Sequence, residues 1–287
     1  MTIIRKCIIF YVISVLQIAN QSKAQENPLN LRKGLFYFYW GYNKNYYSKT
    51  NLHFNGPNYD FTLYGVRGFD RQKRLGWDYI NPAKFSVPQY NYRAGYFITD
   101  RIAISAGMDH TKYVVAYNQQ VTISGTITPA ASQKYAGTYL NEPIQLRKDL
   151  LIFEHTDGFN LISLDIEYFQ PVKSVFKDKI SLLWNLGIGG MFIMVKTNVR
   201  VMGDGLDNKF HIAGLGIAGK TGPRVIYKNL FFLSAEIKGG YASMPSVLIN
   251  NSGPESADHK LYFLEYYIVV GIIFKLKRKS PFIEFNK

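Results

Sequence analysis

Apolar and polar residues alternate one by one over long stretches of this chain. Tyr90, Tyr92, Ala94 and Tyr96 share one parity, and Asn91, Arg93, Gly95 and Phe97 the other. After Thr99-Asp100 the alternation restarts, setting Ile102, Ile104, Ala106 and Met108 against Ala103, Ser105, Gly107 and Asp109. A period of two belongs to strands, not helices. Gln89–Val115 therefore reads as a hairpin with a tight turn. The same pattern recurs in Phe159–Phe169, Ile180–Val195, Phe210–Ile226, Leu230–Tyr241 and Leu261–Phe274. Lys33–Tyr47 is almost wholly aromatic, and Phe36, Phe38, Trp40 and Tyr42 are its expected outward set.

This makes about eight antiparallel strands. Tight turns fall near 99–100, 171–178 and 227–229, and two long insertions near 48–88 and 116–158. Tyr59–Val66, inside the first insertion, reads as a strand. It either stands above the main sheet as a hairpin or, with a partner, raises the wall to ten strands. Met202–Asp207 and Pro245–His259 read as loops.

The face opposite the apolar one decides the class. It carries Arg93, Asp109, Asp165, Glu167, Lys220, Arg224, Glu236, Lys238 and Glu265. A soluble sandwich would bury its apolar face and show charge to water. A transmembrane β-barrel turns the apolar face to lipid and keeps the polar one inside. Small barrels fill that interior with side chains. Charges there have to pair, because an unpaired buried charge costs several kcal/mol. The expected interior is an ion-pair plug, with no wide pore.

Composition agrees. Aromatic residues make up 16%, with 22 tyrosines and 20 phenylalanines against 3 tryptophans, as two aromatic girdles would use. Mean hydropathy is only −0.10, so no membrane helix is expected after the N-terminal segment. In that segment Arg5 and Lys6 precede the mostly apolar run Cys7–Ile18, and Ser22-Lys23-Ala24 offers small residues at a cut. Residues 1–24 are expected to be a cleaved signal peptide, leaving 25–287 as one barrel domain. Cleavage removes Cys7, the single cysteine, and with it disulfide and thiolate chemistry. It also lowers the formal charge from +14 to +11 through loss of Arg5, Lys6 and Lys23. The basic residues Lys173, Lys177, Lys179, Lys275, Lys277, Arg278 and Lys279 gather in turns and the tail of one barrel end, where they are solvated or meet lipid phosphate. Nucleic acid is not an expected partner of an exported chain.

The apolar N-terminus, the hairpin GYFITDRIAISAG and the aromatic-alternating last strand ending at Phe274 resemble small outer-membrane β-barrels. The chain is also similar to uncharacterised Bacteroidetes-type proteins with a DxTLxxV piece (Asp60–Val66), an NYR-GY strand (Asn91–Tyr96) and a DHxKYV strand end (Asp109–Val114). The resemblance spans most of the mature chain. It implies a Gram-negative outer-membrane location, short periplasmic turns and long extracellular loops. It implies no activity. One departure is the tail Lys275–Lys287, where many such barrels stop at the aromatic residue.

The five histidines, His53, His110, His155, His211 and His259, fall at loops or strand ends of the long-connection side. Asp109-His110-Thr111 and Glu154-His155-Thr156-Asp157 bracket the second insertion, so antiparallel pairing would bring them near each other. A carboxylate-oriented imidazole beside a hydroxyl or water is what acyl-ester chemistry needs. His155, Asp157, Asp109 and His110 are thus the catalytic candidates of a lipid A acyl-chain hydrolase or acyltransferase. No nucleophile motif accompanies them, and no metal-ligand spacing or cofactor motif is present. The leading expectation is a non-catalytic structural or surface-interaction barrel. Its expected partners are outer-membrane lipid, including lipopolysaccharide, and an extracellular protein or glycan. A narrow transport barrel is the third reading.

Overall fold

The structure is a computed structural model that describes residues 33–72, 76–77, 89–250 and 253–276. The expected signal 1–24 and the basic tail from Lys277 lie outside the described residues. Fourteen strands are described. They are β1 (Phe36–Tyr47), β2 (Thr50–Gly56), β3 (Tyr59–Val66), β4 (Gly68–Phe69), β5 (Tyr90–Phe97), β6 (Ile102–Val115) and β7 (Gln119–Ile127). There follow β8 (Gly137–Leu146), β9 (Leu151–Val175), β10 (Ile180–Val201), β11 (Asp204–Asp207), β12 (His211–Tyr227), β13 (Phe231–Leu248) and β14 (Ser256–Phe274).

Eight of them form a closed antiparallel ring in the order β1-β5-β6-β9-β10-β12-β13-β14, with β14 pairing back onto β1. The closing ladder runs from Phe36↔Phe274 to Tyr47↔Phe263. The ring therefore has no free edge, the condition a sheet must meet to cross lipid. Alternation places the faces. Along β14, Tyr262, Tyr266, Ile268, Val270 and Ile272 are exposed, while Phe263, Glu265, Tyr267 and Val269 are buried. Leu164, Leu215 and Ile268 are each at least 60% exposed, far more contiguous apolar surface than a soluble monomer shows. Tyr262 to Ile272 covers about 33 Å of strand, and so about 25 Å of height at a tilt near 40°. This is the apolar band of a transmembrane β-barrel. Aromatic residues edge it, with Tyr46 and Tyr262 at one rim and Phe231, Tyr227 and Tyr96 at the other.

Three short turns, 98–101, 176–179 and 228–230, share one end with both termini of the ring. Lys228 and Asn229 both take positive φ, 51° and 54°, the geometry that suits the right-handed twist of a two-residue hairpin. The four longer connections share the other end. There β2, β3, β7 and β8 leave the ring as a side sheet anchored on the first residues of β14. Together with the upper parts of β6, β9, β10 and β13 they enclose an apolar cap core that includes Leu52, Phe54, Phe61, Ile123, Phe153 and Val195. Tyr59–Val66 is a strand of this cap, and the membrane wall has eight strands.

Several expected boundaries are corrected. The 25-residue β9 begins at Leu151, inside the expected insertion 116–158. Most of Pro245–His259 is strand, since β13 runs to Leu248 and β14 starts at Ser256. Asp204–Asp207 folds back on β10. The turn expected at 171–178 is 176–179, and Pro171 sits within β9 at a register shift opposite Leu182/Leu183, where a residue lacking N–H is tolerated. The common reason is a change of surroundings along one strand. In the membrane, β9 faces lipid with Leu164 and Ile166 and the interior with Asp165 and Glu167. Higher up, the same interior parity carries Leu161, Phe159, Phe153 and Leu151. The apolar side changes from outward to inward, so a reading based on lipid-facing alternation ends the strand too early.

A charge on the belt tests the membrane reading. Ile268→Arg, near mid-height, is expected to destabilise the barrel in lipid vesicles by about 2–4 kcal/mol, and Ile272→Arg, near the rim, by about 0–1 kcal/mol. Denaturant titration followed by tryptophan fluorescence measures both, and equal effects would contradict the assigned depth.

Candidate functional site

The polar interior is built by inward-facing residues of neighbouring strands. None of Arg93, Asp109, Asp165, Glu167, Lys220, Arg224, Glu236, Lys238 and Glu265 is more than 5% exposed. Arg93 on β5 is the hub of the largest cluster. Its guanidinium pairs with Asp165 at 2.7 Å and donates to Tyr39 Oη at 3.0 Å, Ser105 Oγ at 3.1 Å and Ser163 Oγ at 2.7 Å. Lys220 on β12 reaches over Gly187 of β10 to both Asp165 and Glu167 on β9, at 2.9 Å each. Glu167 also accepts from Tyr37 Oη at 2.6 Å, from Asn185 Nδ2 at 3.1 Å and from Ser105.

Two close approaches leave room for this cluster. A Cβ on Gly95 would lie 2.2 Å from the Tyr37 ring, and one on Gly189 would lie 2.1 Å from Asp165 Oδ1. Glycine at these two places lets Tyr37 and Asp165 lie flat against the neighbouring strand.

A second cluster lies toward the short-turn end. Arg224 donates to Ser234 Oγ at 2.8 Å and meets Glu236 at 3.4 Å. Its guanidinium sits over the rings of Phe232 (4.2 Å) and Phe169 (4.7 Å), a placement suited to a planar, weakly hydrated cation. Tyr267 Oη donates to Glu236 at 2.7 Å. A third pair joins Lys238 to Asp109. Glu265 differs from the other acids, because both its carboxyl oxygens are buried without a hydrogen-bond partner among the described residues.

Apolar layers close the interior on both sides of these charges. Tyr37, Tyr39, Phe97, Phe169, Leu183 and Phe232 pack toward the short-turn end, and the cap core lies toward the other. The lumen is thus filled in three layers, apolar, charged and apolar.

The histidine candidates do not assemble into one site. His155 Nδ1 lies 2.7 Å from Thr197 Oγ1, inside the cap, with its ring 0% exposed. Asp157 stays at the surface and pairs with Lys196 at 2.8 Å. Asp109 is committed to Lys238. His110 shares the parity of the outward Ile104 and Met108, yet it is covered, 5% exposed, with its ring stacked on Tyr90 and its Nδ1 2.7 Å from Asn160 Oδ1. The arrangement that residue spacing did not reveal is the pair His155–His259, whose rings are near-parallel at 5.8 Å. They are boxed by Tyr113, Phe153 and Phe159. His155 Nε2, both nitrogens of His259 and Tyr113 Oη have no hydrogen-bond partner among the described residues. Burial holds His155 well below the ordinary histidine range, with the neighbouring His259 and His211 adding to the shift. Burial alone pushes His259 down to about 3. Imidazoles in that state are neutral packing groups, and among the described residues no carboxylate is hydrogen-bonded to them.

No family model and no curated protein matches the chain. Solved structures with overlapping strand arrangements include the outer membrane protein AlkL in DMPC bilayers, at 11% identity, covering 91% of this chain and 98% of that one with a TM-score of 0.39. Neisserial surface protein A overlaps at 12% identity, 84% and 98% coverage and a TM-score of 0.35. OprG from Pseudomonas aeruginosa does so at 11% identity, 85% and 98% coverage and a TM-score of 0.33. At such low overlap the architecture rests on the strand pairing described above.

Two outcomes follow from the interior. Lys238→Met strands the Asp109 carboxylate in a dry lumen and is expected to cost about 3–5 kcal/mol, whereas Lys238→Met combined with Asp109→Leu recovers most of that loss. Unfolding midpoints of the three variants measure it, and additive losses would contradict a direct pair. The cap should weaken in acid. His155 and His259 are neutral when folded but take up protons once exposed below about pH 6.5, so folding is penalised by up to about 1.4 kcal/mol per pH unit for each. Cap stability is full above that pH and falls as pH drops toward the depressed folded values. Hydrogen exchange of β2, β3 and β9 at pH 7.5 and pH 5 reads this, and equal protection at both would refute it.

Proposed function

We propose that the chain is an integral outer-membrane β-barrel with a structural or surface-interaction role and no catalytic one. The filled, three-layer interior carries this reading. A conducting pore needs a continuous wet path, and the charged layer here is shut between two apolar ones. An acyl-transferring site needs an imidazole that a lipid ester can reach, and His155 is enclosed by aromatic rings. What the molecule offers to a partner is its outside, namely the apolar belt and the β-cap. In an outer membrane the short-turn end faces the periplasm, which puts the cap outside the cell. Extracellular proteins or glycans and lipopolysaccharide are the partners that surface can meet. The narrower affiliation with Bacteroidetes-type barrels rests on the three motifs at Asp60–Val66, Asn91–Tyr96 and Asp109–Val114.

Two measurements test the reading. Purified barrel in planar bilayers is expected to leave conductance at baseline; stepwise openings would replace it with a transport role. Lipid A mass spectra are expected to be the same from cells lacking the gene, cells complemented with it and cells carrying His155→Ala. A shift of one acyl chain that the wild type restores and the variant does not would make the protein an enzyme.

A further inference from the structure

We propose that a notch in the outer wall, at the cap-side rim of the apolar belt, binds the phosphorylated sugar headgroup of an outer-leaflet lipid. This rests on the outer-membrane reading above. The notch arises from topology. β14 changes partner along its length, pairing with β2 over Ser256–Lys260 and with β1 from Phe263 onward. The chain turns between β1 and β2 at Ser48 and Lys49, and that corner is tied to β14 by bonds from Ser48 N to Tyr262 O (2.9 Å) and from Tyr262 N to Ser48 Oγ (3.0 Å). The result is an outward-facing hollow of about 540 Å³.

Its floor and rim differ in chemistry. Tyr241 and Tyr262, with ring centroids 5.1 Å apart, form an aromatic floor at the top edge of the lipid-facing surface. Lys49 and Lys260 stand above it. Lys49 is exposed and makes no ion pair among the described residues. Lys260 is half exposed and lies 3.0 Å from Asp258. His53 is held at the same rim by Asp60 at 2.8 Å. Ser48 Oγ accepts from a backbone N–H, which leaves its own hydrogen to donate outward.

Ammonium groups at this height face the phosphates of a bilayer. Tyrosine rings present an apolar face with a wet end, which suits the C–H face of a sugar. A hollow of this size falls in the range of small-molecule sites and exceeds what a bare phosphate fills. Its floor residue Tyr262 is followed two positions on, on the same exposed face of β14, by the lipid-facing Leu264, so an occupant can keep its chains in the bilayer. These features together favour a glycolipid phosphate over a soluble anion.

The test uses the full barrel in detergent, with native mass spectrometry against three probes: diphosphorylated lipid A, the same lipid with both phosphates removed, and inorganic phosphate. The wild type is expected to prefer the phosphorylated lipid by at least about tenfold, and Lys49→Gln/Lys260→Gln to lose that preference. Both lysines are exposed, so the variant should fold, and heat-modifiable migration on gels checks that it does. Equal binding of the two lipids by the wild type, or an unchanged preference in the variant, would overturn the site. Displacement of lipid A by millimolar inorganic phosphate would overturn the lipid assignment. Insertion into vesicles is scored separately. A chain that inserts without preference sinks the notch alone, and one that fails to insert sinks the membrane reading as well.

Discussion

Everything in this molecule depends on the β1–β14 ladder that closes the ring. Inside lipid no water is present to satisfy a backbone N–H or C=O, so a sheet crosses only if every strand has two neighbours. Twelve consecutive pairs from Phe36↔Phe274 to Tyr47↔Phe263 meet that demand. Closure divides the side chains into two populations. One alternate set faces hydrocarbon. The other is trapped in a cylinder too narrow to hold bulk water once side chains fill it.

The trapped set explains the character of the interior. Charges taken out of water are costly unless geometry and extra hydrogen bonds offset the desolvation. Around Glu167 that condition is met by Lys220, Tyr37, Asn185 and Ser105, and around Arg93 by Asp165 and three hydroxyls. Such networks fix strand register, because a slip of one residue would send every partner to the lipid side. Among the described residues both carboxyl oxygens of Glu265 are buried without a hydrogen-bond partner.

Beyond the membrane the same strands continue under a different rule. Water replaces lipid outside, so the interior becomes apolar and a side sheet of β2, β3, β7 and β8 covers it. The cap and the membrane barrel share β6, β9, β10, β13 and β14 and are mechanically one object. The seam where β14 exchanges β1 for β2 is the place where the smooth wall is interrupted, and it is there that a polar hollow meets the apolar belt.

Alternation by itself determined which residues share a face. Asp165 and Glu167 oppose Leu164 and Ile166 because strand geometry permits nothing else, and eight such runs with three tight turns are enough for an antiparallel barrel. It could not determine partners. Lys238 meets Asp109 across 129 residues of sequence and Tyr37 meets Glu167 across 130, distances over which local pattern carries no information. Nor could it determine where strands end, because the reversal from Asp165 to Phe153 on one interior parity looks like the loss of a strand until the cap is seen to cover it. The histidines show the same limit. Residue order paired His155 with Asp157, two positions apart and so on one face of a regular strand, but the register shifts of β9 against β10 and β6 at 155–158 break the alternation there and leave Asp157 at the surface. Tertiary folding placed His155 beside His259, 104 positions away in sequence, because closing the ring and folding the cap over it bring those two strands to the same interior.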